Sequence, residues 1–120
     1  VVDILVDKHQ ERRVCMIVVV AVMKAKKGKE QEMEDALRWL IPQVDSESGT
    51  LQYVLHRARK DTGKFLFYEK YRDKDALNTH SSTPYFAELF GKIAPLLDGD
   101  PSIEIYEDIA SIQEKIYQAP

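Results

Sequence analysis

Apolar residues along this chain follow two periods, and the period changes at clear break points. "MIVVVAVMKAK", residues 16–26, is β-branched and apolar at both odd and even positions. That pattern predicts a central strand buried on both faces. Beyond Gly28, "KEQEMEDALRWLIPQV" places Met33, Ala36, Leu37, Leu40, Ile41 and Val44 at helical spacing, which predicts one amphipathic helix. Glu30, Glu32, Glu34 and Asp35 crowd its early turns, where negative charge suits the helix dipole. Pro42 falls inside the pattern and is expected to kink or restart the helix. Trp39 lies off the stripe centre and reads as a flanking residue.

After the break "SESGT", "TLQYVLHRAR" and "FLFYEKY" read as two strands joined by the turn "KDTGK", a hairpin. "RDKDALNTH" predicts a short helix with Asp73 as N-cap. "STPYFAELFGKIAPLL" predicts another, with Thr83 as N-cap and Pro84 at the first helical position. Phe86, Leu89, Phe90, Ile93 and Leu97 make its stripe, and "SIEIYED" is a last alternating strand. The order β-α-β-β-α-β, with the second helix broken near residues 81–83, is that of a split βαβ unit. The fold class expected is therefore α+β and ferredoxin-like, with helices on one face of a four-stranded antiparallel sheet. The first strand is apolar on both sides, so the other face also needs a cover, and a twofold homodimer with facing sheets is expected.

Residues 1–15, "VVDILVDKHQERRVC", end in charges and read as an extension, either disordered or an edge strand. The domain is expected over 16–108. The amphipathic tail 109–120 is expected to pack on a partner.

Composition narrows the function classes. The chain has 120 residues, 44% hydrophobic and 31% charged, enough for one domain with its own core. Its 17 basic and 20 acidic residues are interspersed at a net charge of −3, without a basic patch, so nucleic acid is not expected as a partner. No apolar run could span a bilayer, and no secretory leader is legible. Cys15 is the single cysteine, which excludes an internal disulfide and makes a cytoplasmic location the default. No phosphate loop, paired-cysteine motif or metal helix is present. His9 with Cys15, or His56 and His80 with Glu69, are too few or wrongly phased for a metal site. Ser81, Ser82 and Thr83 read as capping residues rather than nucleophiles, and Arg57 and Arg59 as solvated strand-end charges.

The chemistry gathers between residues 53 and 90. In the third strand Phe65, Phe67, Glu69 and Tyr71 share one face. In the next helix Ala76, Leu77 and His80 share one side. A right-handed crossing lays that helix over the same face, and Tyr53 joins the group if the hairpin register allows. A buried carboxylate needs a partner, and His80 or a tyrosine would serve. Two readings stand side by side. In one, Glu69 and His80 satisfy each other and tie helix to sheet. In the other, His80 is a general base or acid, oriented by Glu69 and open to a pocket.

The run from Met16 through "LIPQVDSESGTLQYVLHR" to "DTGKFLFYEKYRDKDALNTHSSTPYF" resembles the antibiotic biosynthesis monooxygenase domain family over about 16–108. Phe67, Glu69, Tyr71, Ala76, Leu77, His80 and "TPYF" carry the resemblance, with Gly49 and Tyr53. It implies a dimeric α+β barrel with a pocket between sheet and helices in each subunit. Members include cofactor-free oxygenases of quinols and anthrones, haem-degrading enzymes and an isomerase of a phosphorylated signalling sugar. The haem-degrading members use an asparagine on the first strand, and none stands there in this chain. The function implied is a cofactor-free, metal-free monooxygenase that takes O2 and a small aromatic or quinol. His80 would be the base, Glu69 its orienter, and Tyr53 and Tyr71 the polar rim. Phe67, Tyr85, Phe86 and Phe90 would wall the pocket. The alternatives are the isomerase, with Arg57 or Lys70 holding a phosphate, and a non-catalytic dimeric ligand-binding or stress protein.

Overall fold

A computed structural model describes residues 16–120. The expected extension over 1–15, with His9 and Cys15, lies outside the described residues. Strand β1 (Ile17–Lys24) leads through the turn at Gly28, whose φ of +87° favours glycine, into helix α1 (Glu30–Val44). The hairpin β2 (Thr50–Arg57) and β3 (Lys64–Tyr71) follows. Helices α2 (Lys74–Ser81) and α3 (Pro84–Ile93), a 3-10 turn (Ala94–Leu96) and β4 (Ser102–Glu107) complete the order. The sheet runs β2-β3-β1-β4 and is antiparallel throughout. This is the ferredoxin-like α+β arrangement that the pattern predicts.

Helix α1 runs unbroken through Pro42 to Val44. A proline so near the helix end forfeits one hydrogen bond, to the Arg38 carbonyl, in the last turn, and no restart follows. Met33, Leu37, Leu40 and Val44 of α1 are buried against Phe65 and Phe67 of β3, Ala21 and Met23 of β1, and Leu89 and Ile93 of α3. A smaller cluster joins Val19, Tyr71 and Ala76. On the opposite sheet face Val20, Val22, Leu66 and Tyr68 stay half-buried and Val54 is exposed. Every residue of β4 is exposed, and residues 109–120 are exposed without regular structure.

Candidate active site

Alternation in β3 delivers Phe65, Phe67, Glu69 and Tyr71 to the helix-covered face, all buried. The hairpin register pairs Tyr53 with Glu69, so Tyr53 shares that face. Helix α2 starts where the Asp73 carboxylate accepts the Ala76 N–H at 2.8 Å. Its buried side then presents Ala76 and, one turn later, His80, which is only 1% exposed. The Thr83 hydroxyl donates to the His80 carbonyl at 2.8 Å and accepts the Phe86 N–H at 3.3 Å. One side chain thus ends α2 and caps α3.

The group that holds the imidazole is Glu47, from the loop between α1 and β2. Its two carboxylate oxygens lie 3.1 Å from His80 Nδ1. The Thr50 hydroxyl donates to Glu47 at 2.8 Å, and the Tyr85 hydroxyl donates to it as well. Gly49 makes this approach possible. A Cβ there would sit 2.6 Å from the Ala76 Cβ, so only glycine lets the loop pack against α2. Glu69, expected to orient His80, instead accepts the Tyr71 hydroxyl at 2.6 Å. The sequence reading missed Glu47. "SESGT" reads as a polar break, and no periodicity marks its glutamate; Gly49 beside it was the available signal.

His80 Nε2 is buried and has no hydrogen-bond partner among the described residues. Such an orphan is costly in a finished core and is the expected state of a group waiting for a ligand. His80 lines a cavity of about 230 Å³ between sheet and helices. With Nδ1 committed to Glu47, Nε2 is the nitrogen left for that cavity. Tyr53 and Glu69 stand beside His80 at its polar end; Phe67, Phe86 and Phe90 are among its apolar walls. Tyr53 packs on Phe67 at 4.7 Å and on His80 at 5.3 Å between ring centroids, and Phe86 meets His80 edge-on at 5.1 Å. Tyr71 and Tyr85 do not line the cavity: the Tyr71 hydroxyl bonds Glu69, and the Tyr85 hydroxyl bonds Glu47. Ile103 and Ile105 of β4 form its open side, at 54% and 63% exposure. The half-exposed state of Phe90 follows from the same opening, since its stripe position faces the cavity rather than packed core.

Burial pushes the Glu69 carboxyl up to about 7; the Tyr71 hydrogen bond pulls the other way, and the charge of Glu47 adds to the rise. Burial, reinforced by Glu69 and Glu47, also drives the Tyr53 phenol far above its ordinary range. Tyr53 therefore stays a hydrogen-bond donor at any physiological pH. Lys70 and Arg57, considered as phosphate ligands, bind Asp108 at 2.5 Å and Glu34 respectively, and neither lines the cavity. None of the described residues lining the cavity is Lys or Arg. Among the described residues no cluster of three metal-ligating side chains occurs.

Fold and cavity together define a class, and comparison with known proteins agrees. The antibiotic biosynthesis monooxygenase family model matches residues 16–92, more than half of the chain. The chain belongs to that family. It is 34% identical over 91 residues to an uncharacterised Synechocystis protein, covering 76% of this chain and 62% of that protein, so it spans less than two thirds of that relative. It is 30% identical over 82 residues to "Putative monooxygenase YcnE" of Bacillus subtilis, covering 68% and 86% of the two chains. A solved Pseudomonas aeruginosa structure superposes with a TM-score of 0.76 at 30% identity, over 82% of this chain and 98% of that one. No helix among the described residues is long and apolar enough to cross a membrane.

Proposed function

We propose that this chain is a monooxygenase that uses no cofactor and acts on a small electron-rich aromatic, a quinol or anthrone. The observation that carries the proposal is His80: its Nδ1 is anchored on Glu47, and its unpartnered Nε2 serves an apolar, aromatic-walled cavity. The similarity to the Bacillus subtilis protein, by its name a monooxygenase, supports the reaction type.

The chemistry follows from the spin state of oxygen. Triplet O2 reacts slowly with closed-shell organics, but a deprotonated anthrone is electron-rich enough to pass it one electron. With an anthrone, His80 Nε2 takes a proton from the ring CH2, and Glu47 stabilises the imidazolium that forms. Electron transfer and radical recombination give a C–O–O⁻ group, which the imidazolium protonates. The freed base then takes the remaining C–H proton as the O–O bond breaks. The departing hydroxide collects that proton and leaves as water. In sum CH2 and O2 become C=O and H2O, with no outside reductant. Tyr53, a permanent donor, borders the reacting oxygen, and the apolar walls exclude water from the carbanion.

The isomerase reading is less well supported, because a phosphorylated sugar needs a cation and the described residues lining the cavity supply none. We also infer a homodimer joined through the uncovered apolar sheet face, with Ile109, Ile112, Ile116 and Tyr117 of the exposed tail adding to the contact.

The test is oxygen uptake with a panel of hydroquinones and anthrones in the presence of a chelator. Wild type is compared with His80→Ala. Uptake that requires His80 and survives the chelator is the expected result. A folded protein that binds these compounds yet consumes no oxygen is a ligand-binding protein, and the oxygenase reading falls.

A further inference from the structure

The cavity holds a second ionisable group that the oxygenase chemistry leaves unused. Glu69 lines the polar end beside His80 and Tyr53, at 6% exposure. One of its oxygens, Oε1, accepts the Tyr71 hydroxyl, and it makes no other hydrogen bond among the described residues. Among the described residues its surroundings contain no fixed positive charge. Tyr71 stands on its own strand, Tyr53 opposite on β2, Glu47 in the loop before β2 and His80 on α2. Val19 of β1 is its other cross-strand partner, and Ile105 of β4 lies beyond. Lys70 and Glu104 project from the opposite sheet face. The cation-forming neighbour among the described residues, His80, is already committed through Nδ1 to Glu47, whose charge is also held by two hydroxyls. Glu69 has one phenol for the same task.

We propose that Glu69 is held as a neutral carboxylic acid and donates its free O–H to the oxygen of the bound aromatic, making it the oxyanion donor of the cavity. A carboxyl kept neutral by an apolar site is a strong donor toward a phenolate, and a carboxylate there would repel it. The upward displacement of its titration agrees with this role. Tyr71, bonded behind Glu69, is a positioning residue: by occupying Oε1 it leaves Oε2 to carry the proton toward the ligand. The ligand class follows. It is a compound with a phenol, quinol or enolisable oxygen at one end, inserted toward Glu69 and His80. Its apolar body extends to the opening at Ile103 and Ile105. The proton of Glu69 stays in place during turnover; His80 moves the substrate's proton.

This inference rests on the cavity taking an oxygen-bearing aromatic, and binding alone tests it. The probe is 2,4-dinitrophenol, which stays ionised throughout the range used, followed by equilibrium dialysis. From about pH 6 to about pH 9 the wild-type Kd rises toward about tenfold per pH unit above about pH 7, as Glu69 loses its proton. Glu69→Gln, an amide donor at every pH, binds without that rise. His80→Gln, folded by thermal melt, retains it. A rise that persists in Glu69→Gln, or one lost in His80→Gln, overturns the assignment, as does a folded wild type that fails to bind the probe. Dinitrophenolate binding requires no oxygen chemistry. A Glu69-dependent rise without oxygen uptake on the hydroquinone panel therefore sinks the oxygenase reading and leaves this one standing. Uptake with an unchanged rise in Glu69→Gln does the reverse.

Discussion

Replacing Glu47 with Gln changes one oxygen to an amide nitrogen and removes one buried negative charge. In the resting protein little is lost. Thr50 and Tyr85 bond different carboxylate oxygens, so the amide oxygen accepts from one of them while the other hydroxyl must turn to accept from the amide N–H, and the unfolding free energy is expected to fall by about 1 kcal/mol. The proposed turnover is different, because there His80 becomes cationic. The imidazolium faces the carboxylate at 3.1 Å, with the two side chains 1% and 8% exposed. A hydrogen bond to a charged acceptor contributes about 1–2 kcal/mol more than a neutral one, which is about 5- to 30-fold in rate. The loss grows if the amide N–H turns toward Nδ1, since that favours the tautomer with Nε2 protonated and unable to act as base. The assay is the initial rate of oxygen uptake on the best panel compound, with thermal melts as a folding control. A Glu47→Gln enzyme at wild-type rate, beside an inactive His80→Ala, would refute the argument that Glu47 works through His80.

Three further outcomes follow. Glu69 holds its proton in the folded state up to about 7 but only to about 4.5 when unfolded, so the folded state binds more protons between those values. Its burial therefore costs stability as pH rises through that window, in total about 3 kcal/mol, and the loss is complete above it. Urea titrations of wild type should show this decline, and Glu69→Gln should flatten it and be the more stable protein at pH values above the window. Gly49→Ala drives a methyl into Ala76 and should destabilise the protein by about 1–3 kcal/mol while moving Glu47 from His80. A melt near wild type with full oxygen uptake would contradict that. Val20→Asp places an unpaired carboxylate on the sheet face opposite the helices, and for the proposed homodimer sedimentation should show association weakened by about 100-fold or more.

Much of the fold is legible in the pattern because it depends on near neighbours. Asp73 and Thr83 were identifiable as caps because a cap bonds a backbone N–H three residues on. Strand alternation put Phe67, Glu69 and Tyr71 on one face, and the β-branched first strand marked itself as central. The inward aim of His80 followed from its spacing to Ala76 and Leu77. Tyr53 depended on the hairpin register, which a bulge at residues 50–52 helps to set.

The partner of His80 was not legible. Glu47 is 33 residues away in a polar loop, and its approach rests on a missing side chain at Gly49 packing against a helix that forms later in the chain. The expected Glu69–His80 pairing failed for a related reason. Sharing a face says that two groups are near, while the bond each makes depends on distances of tenths of an ångström. Tyr71 took Glu69, and Glu47 took His80. Likewise Phe86 and Phe90 share a stripe with Leu89 and Ile93 and all four line the cavity, yet Leu89 and Ile93 are buried in the core while Phe90 stays exposed at the opening. Periodicity sorts residues by side of an element. Whether that side meets packed core or open space is decided by how far apart the elements come to rest, a property of the assembled layers alone.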